Sequence, residues 1–484
     1  MNQADLAIVG AGPTGLSAAL VAARAGLKVW VFDDNALPGG QYFRQLPKQF
    51  RKTRKTVYDK EHGRASELFT AIHHPNVTYL PNATVWENPD PGILAFAAGE
   101  RSGRIEAKAI LIACGASDRP VPFPGWTLPG VVTAGGLQNL VKGARVVPGE
   151  RAVVAGNGPL LLVVAANLIR AGATVAAVAE AAPATARLWR NLPRLLQAPE
   201  IVKLAVNYRG LMAKAGVPYR CGETVIEARG TDELEEVVLA PIDTRGRLDR
   251  TKARTVACDT LVAGFGLNPS IEMYRLLGCD MSYNSYRGGW MPKRSDDLET
   301  SIPGIFAAGD GAGIGGVEFA LIEGKLAGTV IARNLGALDE RTAAIQAAPL
   351  RSRLERFRKF RVGLERVYAP PSTWTELATD DTIVCRCEDV SLGEIRAREA
   401  QGFTSAFAIK GSTRMSMGRC QGRNCLPTLA AHIAARDGIA VEQVAVPRGR
   451  PPARLVTIGD LLQEDLPAPV FPTDPHLPRG EEVI

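Results

Sequence analysis

Histidine is scarce in this 484-residue chain, with five residues, and aromatic side chains make up 6% of it. His62, His73, His74, His432 and His476 form no motif beyond one adjacent pair. They read as surface residues, and no imidazole stands out as a general base. The few aromatics do not interleave with the dispersed Lys and Arg, so the net charge of +7 does not describe a nucleic-acid groove. Long apolar runs are missing too. The longest, around Leu160 to Ile169, is bounded or broken by Asn157, Asn167 and Arg170, too short and too polar to span a bilayer. The opening residues read as a strand ending at Gly10 rather than as a leader. The expectation is a cytoplasmic protein, peripheral to the inner membrane at most.

What remains is ordinary in bulk and specific in detail. Hydrophobic residues at 46% and charged ones at 22% are globular values, and the length calls for about two to four domains. Eight cysteines in a chain expected in the cytosol read as ligands or buried thiols rather than disulfides. Cys114, Cys221, Cys258 and Cys279 are isolated, and neither C-x2-C nor C-x4-C occurs among them. A dithiol relay is therefore not expected.

Residues 5–9 read as a buried strand and residues 14–25 as a helix, with Gly10-Ala-Gly12-Pro13-Thr14-Gly15 between them. Gly10 permits the tight turn, Gly12 lets a pyrophosphate approach, and Gly15 lets the helix pack on the strand. A second strand ends at Asp33-Asp34, near the ~20-residue spacing of a ribose-binding carboxylate. The strand and turn at Leu111–Gly115 and the later Gly304-Ile-Phe-Ala-Ala-Gly309-Asp310 favour FAD over a nicotinamide cofactor. The split domain resembles the two-dinucleotide-binding-domain flavoproteins, the glutathione and thioredoxin reductase superfamily. In that resemblance Asp310 approaches the ribityl and phosphate groups, Gly40 and Gln41 belong to the flavin loop, and the backbone at Val85 meets adenine.

A second nucleotide-binding fold lies between these segments, with a strand at 151–155, the turn Gly156-Asn-Gly158-Pro-Leu-Leu161, a helix, and a strand ending at Glu180. Leu161 stands at the third glycine position and should push the helix away or reshape the phosphate turn. No Arg follows Glu180 to receive a 2′-phosphate. Poor use of NADPH and weak use of NADH are expected, leaving a scaffold or a site for another adenine nucleotide. An Arg- and Glu-rich helix at 351–366 ending in Pro370-Pro371 reads as a linker, and the basic run 51–55 as a solvated loop.

Beyond it, Cys385-Arg-Cys387 and Cys420-Gln-Gly-Arg-Asn-Cys425 supply four soft thiolates. The spacing departs from that of structural zinc and meets the need of a 2Fe-2S centre, with zinc and free thiols as the alternatives. Arg386, Arg419 and Arg423 beside these ligands should raise the potential of a cluster that gains negative charge on reduction. The motif resembles the bacterioferritin-associated ferredoxin domain, with C-x4-C where the small ferredoxin has C-x2-C. Joined to the flavoprotein segments, it resembles the FAD/2Fe-2S subunits of the opine oxidase, D-hydroxyproline dehydrogenase and hydrogen cyanide synthase family.

That resemblance implies an α/β fold of glutathione reductase type with a small α+β ferredoxin domain. The expected segments are 1–117 and 286–338 for FAD, 118–285 for the inserted nucleotide fold, 339–380 for a helical linker, 381–440 for the cluster and 441–484 for a Pro-rich extension. It implies a D-amino-acid oxidase-like or sarcosine oxidase-like FAD partner that oxidises an amine or imino acid. It also implies an FMN at the subunit interface, a small ferredoxin-like third subunit, and an acceptor such as quinone. Two other functions stay open: a self-sufficient NADH-dependent reductase, and a regulatory or redox-sensing subunit.

Overall fold

The computed structural model describes residues 2–47, 59–99, 101–243 and 246–462. The basic run 51–55, His476 and the tail beyond 462 lie outside them. The chain divides into two units, one of residues 1–116, 268–355 and 448–484, the other of residues 117–267 and 356–447.

The first unit is built on a seven-stranded sheet. Asn2–Val9, all but continuously apolar toward its end, lies between Val29–Phe32 and Arg101–Ile112, parallel to both. Val77–Leu80 extends the sheet beyond Val29–Phe32, and Ile305–Ala307 pairs with the end of Arg101–Ile112. Strands buried on both faces need apolar side chains throughout, which is why these read as runs and not as alternations. An antiparallel meander, Ala83–Glu87 with Ile93–Ala98 and Arg101–Ile112, completes it. Two helices, Pro13–Arg24 and Val317–Asn334, cross closely because a Cβ on Gly324 would meet Thr14 O at 2.3 Å and one on Gly328 would meet Ala18 O at 2.7 Å.

The second unit holds a five-stranded parallel sheet in the order Tyr219–Cys221, Thr174–Glu180, Arg151–Gly156, Thr260–Gly264, Val131–Thr133. An antiparallel sheet of Glu223–Arg229, Glu236–Pro241 and Arg254–Ala257 accompanies it. The cysteine-rich residues belong to this unit and have their own core of Val384, Val390, Ile395, Ile409, Met415, Leu429 and Ile433.

Three boundaries differ from those expected. The inserted unit ends at Leu267, not at 285. Residues after 267 join the flavin unit, where Tyr274 donates its hydroxyl to Ile112 O at 2.9 Å and Ser270 N donates to Gly115 O at 3.0 Å. The expected linker is one helix, Glu340–Val367, shared between the two units. The extension from 448 returns to the first unit, tied by Ala453 N to Trp86 O at 2.7 Å and by Ser102 Oγ to Asp460 O at 2.7 Å. Each difference depends on contacts remote in sequence, which local composition does not carry. Among the described residues no helix is long and apolar enough to cross a membrane.

Candidate flavin, nucleotide and cluster sites

At the first glycine turn the three glycines divide the work by geometry. Gly10 has φ +108°, and a Cβ there would meet Ala113 O at 2.5 Å. A Cβ on Gly15 would lie 1.9 Å from Gly10 O, so helix and strand can close only without it. Gly12 faces open space apart from Gly40 Cα at 3.9 Å, and it keeps part of its surface exposed. The helix then starts at Pro13, whose lack of an N–H costs nothing in the first turn.

The turn is held from below by Asp33. Its Oδ2 accepts from Ala11 N at 2.6 Å, and its Oδ1 accepts from Asn35 N at 2.8 Å and Asn35 Nδ2 at 2.9 Å. A carboxylate has about four acceptor positions, so Oδ2 retains capacity for a hydroxyl donor. Asp34 accepts from Asn35 Nδ2 at 2.7 Å. Tyr79, which the sequence did not single out, has a buried hydroxyl with no protein partner. Burial, and then the charges of Asp33 and Asp34, push its pKa up. A buried orphan donor beside the ribose carboxylate is what a dinucleotide hydroxyl would satisfy.

Other predicted residues gather at the same turn. Gly309, at φ +74°, touches Thr14 so closely that a Cβ would lie 2.2 Å from Thr14 Oγ1. Gly115 N and O approach the Cβ position of Gly311 at 3.3 and 3.1 Å. Asp310 Oδ1 is engaged in accepting from Gly315 N and Gly316 N, both at 2.8 Å. Gln41 is exposed and accepts from Arg44 Nη2 at 3.2 Å. Val85 is buried in the meander opposite Phe96. Missed altogether was a buried pair: Arg294 Nη2 donates to Glu323 Oε1 at 2.6 Å and Arg294 Nη1 to Ala307 O at 2.7 Å, while Gly309 N donates to Glu323 Oε2 at 2.8 Å.

The second nucleotide fold repeats the plan with different contacts. Leu161 does not displace the helix, because its side chain fills the notch left by Gly264, where a Cβ would lie 2.7 Å from Leu161 Cδ2. The helix Leu160–Ala171 begins after Pro159, and Gly158 takes φ +107° where Gly12 takes −77°. Glu180 is 0% exposed, accepting from Gly158 N at 2.9 Å and Ala182 N at 3.0 Å. Burial pushes its pKa up to about 8, against the pull of those amides and of Tyr219. A carboxyl whose folded pKa exceeds its unfolded one holds extra protons in the fold. Its stabilising contribution is complete below the ordinary value of 4.5 and is lost as pH rises through about 8. Glu180→Gln is neutral at every pH, so wild type should lose thermal stability relative to the variant between roughly pH 5 and pH 8. Paired melts across that range test this, and parallel profiles would contradict it.

The four clustered cysteines converge. Their thiols neighbour one another in the order Cys385, Cys425, Cys420, Cys387, each shifting the titration of the next. Among the described residues no three His, Cys, Asp or Glu side chains are grouped as one metal ion would need. Four thiols brought together by two loops meet the four-thiolate requirement of a two-iron centre. The Cys425 thiol, then backbone N–H groups of Ser416, Glu388 and Cys387, hold Cys385 down to about 6. Cys420 is held down to about 5, by Cys425 first and by the Asn424 and Gly422 amides among others.

The loops that bring them together are tight. A Cβ on Gly418 would lie 2.3 Å from Cys387 Cβ, and Asp389, Arg414, Ser416 and Gln421 all take positive φ. Such conformations persist only where the surroundings enforce them. Ser416 Oγ is buried and has no protein partner, a spare donor next to the Cys385 sulfur that fits a cluster. Cys385 and Cys425 are buried, and Cys387 and Cys420 are half-buried. Arg386 stacks on Trp126 at 5.5 Å, Trp126 Nε1 donates to Ile383 O at 2.7 Å, and Arg419 is exposed.

Comparison with known families agrees with this geometry. Residues 4–348 match the pyridine nucleotide-disulphide oxidoreductase family and residues 383–435 match the BFD-like [2Fe-2S] binding domain. This is a flavoprotein that carries FAD and a [2Fe-2S] cluster in one chain. The A subunit of opine oxidase from Rhizobium meliloti is 32% identical over 95% of this chain and 87% of its own. The hydrogen cyanide synthase subunit HcnB of Pseudomonas aeruginosa is 35% identical over 87% of this chain and 90% of its own. Among solved structures, L-proline dehydrogenase from P. horikoshii has the same fold with a TM-score of 0.65 at 21% identity, over 95% of this chain and 79% of that one. The chain belongs to the pyridine nucleotide-disulphide oxidoreductase family and, within it, to the FAD and iron–sulfur dehydrogenase subunits that include HcnB and the opine oxidase relative.

Proposed function

We propose that this chain is the electron-transferring subunit of a multi-subunit amine or imino-acid dehydrogenase of the opine, D-hydroxyproline or glycine class. A D-amino-acid oxidase-like or sarcosine oxidase-like FAD subunit would oxidise the C–N bond, and a quinone or similar acceptor would take the electrons. An interfacial FMN and a small ferredoxin-like third subunit belong to the same reading, as does docking on the inner membrane where a quinone would be met. FAD accepts electrons in pairs and the cluster passes them singly, so the two together can connect such partners.

The observation that carries the proposal is the coexistence in one chain of an open first glycine turn at Gly12 and a group of four neighbouring thiols. Gly10, Gly12, Pro13, Thr14 and Gly15 would cradle the FAD pyrophosphate, and Asp33 and Tyr79 would take ribose hydroxyls. Gly309 and Asp310 would shape the turn at the other side of the phosphates. Cys385, Cys387, Cys420 and Cys425 would hold the cluster, its half-buried side at Cys387 and Cys420 turned toward incoming or outgoing electrons. Both relatives are by name subunits, one of an opine oxidase and one of a hydrogen cyanide synthase, which supports dependence on a partner.

Anaerobic titration of the purified holoprotein with NADH tests this. The expected result is no flavin bleaching by NADH, while dithionite reduces the flavin and brings up the cluster's electron paramagnetic resonance signal. Rapid stoichiometric bleaching by NADH would instead make the chain a self-sufficient reductase.

A further inference from the structure

The two nucleotide folds of this chain differ in what covers them. In the first, Gly12 remains part-exposed and the Asp33 carboxylate keeps an acceptor position free. In the second, Gly156, Asn157 and Gly158 are all buried. The cover is the chain's own: Asn157 Nδ2 donates to Tyr368 O at 2.8 Å, and Arg187 Nη1 donates to Ala369 O at 3.1 Å. Asn157 Oδ1 is buried without a donor, so solvent does not reach the turn there either.

The seal continues to the acid. Tyr219 lies on the strand next to that of Glu180, paired with Val178, and burial and then the Glu180 charge push the phenols of both Tyr219 and Tyr368 up. Arg209 clamps the Tyr219 ring from its face at 4.1 Å. Two backbone amides already engage the Glu180 carboxyl, and with the side chain 0% exposed no solvent reaches the rest of it. The covering segment is itself held, because it leaves the helix Glu340–Val367, whose Gly363 lies so near the helix Ala184–Leu195 that a Cβ would meet Arg194 Cβ at 2.8 Å. Pro370 and Pro371 stiffen its exit.

We propose that the ligand of the second nucleotide fold is the chain's own Tyr368–Ala369 segment, lying where a dinucleotide's ribose would meet Glu180, and that the fold is thereby closed to nicotinamide and adenine nucleotides. Tyr368 sets its carbonyl on Asn157 of the turn, and its phenol stands near the acid that a ribose would otherwise meet. The fold then seats the lead-in to the iron–sulfur loops in place of a cofactor.

The proposal does not rest on the identity of the partner enzyme, and its test is binding rather than turnover. Holoprotein with FAD and cluster in place is titrated calorimetrically with NADH, NADPH and ATP, using wild type, Tyr368→Ala, Asn157→Ala and Tyr368→Ala/Glu180→Ala. Wild type should show no saturable binding up to ~1 mM. Tyr368→Ala should gain saturable binding of NADH or ATP at least ~10-fold tighter than wild type, and the added Glu180→Ala should remove it. Asn157→Ala cuts one contact of the cover and should give a smaller gain, which keeps the test available if Tyr368→Ala does not fold. Micromolar binding to wild type that Glu180→Ala abolishes would overturn the proposal, as would folded cover variants that gain nothing. NADH binding without flavin reduction would refute this inference alone, and flavin reduction without binding at Glu180 would refute only the proposed function.

Discussion

Arg294→Met should destabilise the flavin unit by about 3–5 kcal/mol, because it leaves the Glu323 carboxylate buried without its counter-ion. Glu323 is 0% exposed and binds Arg294 through both oxygens, at 2.6 and 2.9 Å. The same carboxylate accepts from Gly309 N, and the same guanidinium donates to Ala307 O, so the pair fixes both sides of the turn that touches Thr14. The loss should therefore appear first as flavin release. A chain of two units need not unfold in one step, so the proper readout is local. In a thermal ramp, flavin fluorescence should rise well below the wild-type temperature while cluster absorbance bleaches where it did before. Arg294→Met/Glu323→Leu should recover part of the loss, since it leaves no buried charge unpaired, but not all of it, because Gly309 N and Ala307 O lose their partners. Flavin release unchanged in Arg294→Met would show that the pair does not hold the turn.

That pair shows where the sequence stops being informative. Arg294 and Glu323 lie on separate elements, in no motif, and their types are common on surfaces; only the closed fold shows that Glu323 is wholly buried and Arg294 largely so. Tyr79, Tyr219 and Tyr368 were equally silent, each an ordinary aromatic until strands and helix ends bring it beside an acid. The glycine turns were legible because a pyrophosphate and a close helix impose local demands on backbone, and Gly10 and Gly15 meet them within six residues. The helix Leu392–Ala400 after Cys387 carries its start signal in sequence, a Ser391-to-Glu394 capping box in which Ser391 Oγ accepts from Glu394 N at 3.2 Å and Ser391 N donates to Glu394 Oε2 at 2.8 Å. Leu161 shows the opposite limit. Its bulk at a glycine position pointed to a displaced helix, but Gly264, on a strand about a hundred residues later, makes the room.

Cys425→Ala should abolish the cluster and loosen the loops around it while leaving the flavin bound. Cys425 is buried and opens the helix Cys425–Asp437, whose Leu429 and Ile433 are part of the core shared with Val384, Ile395 and Ile409. Its thiol lies between those of Cys385 and Cys420 and is pushed up by both, so its removal separates the two halves of the ligand set. A domain of about 50 residues buries too little surface to be secure without a staple, and metal binding in such domains is coupled to folding. The left-handed residues Asp389, Arg414, Ser416 and Gln421 would then lose what enforces them. Iron and acid-labile sulfide per FAD should fall to background, and limited proteolysis should open cuts in the ligand loops of the variant that wild type resists. Iron retained at the wild-type ratio would remove Cys425 from the ligand set. Iron lost with the loops still resistant would mean that this small core stands on its own side chains, and that the cluster is a passenger on a fold already made.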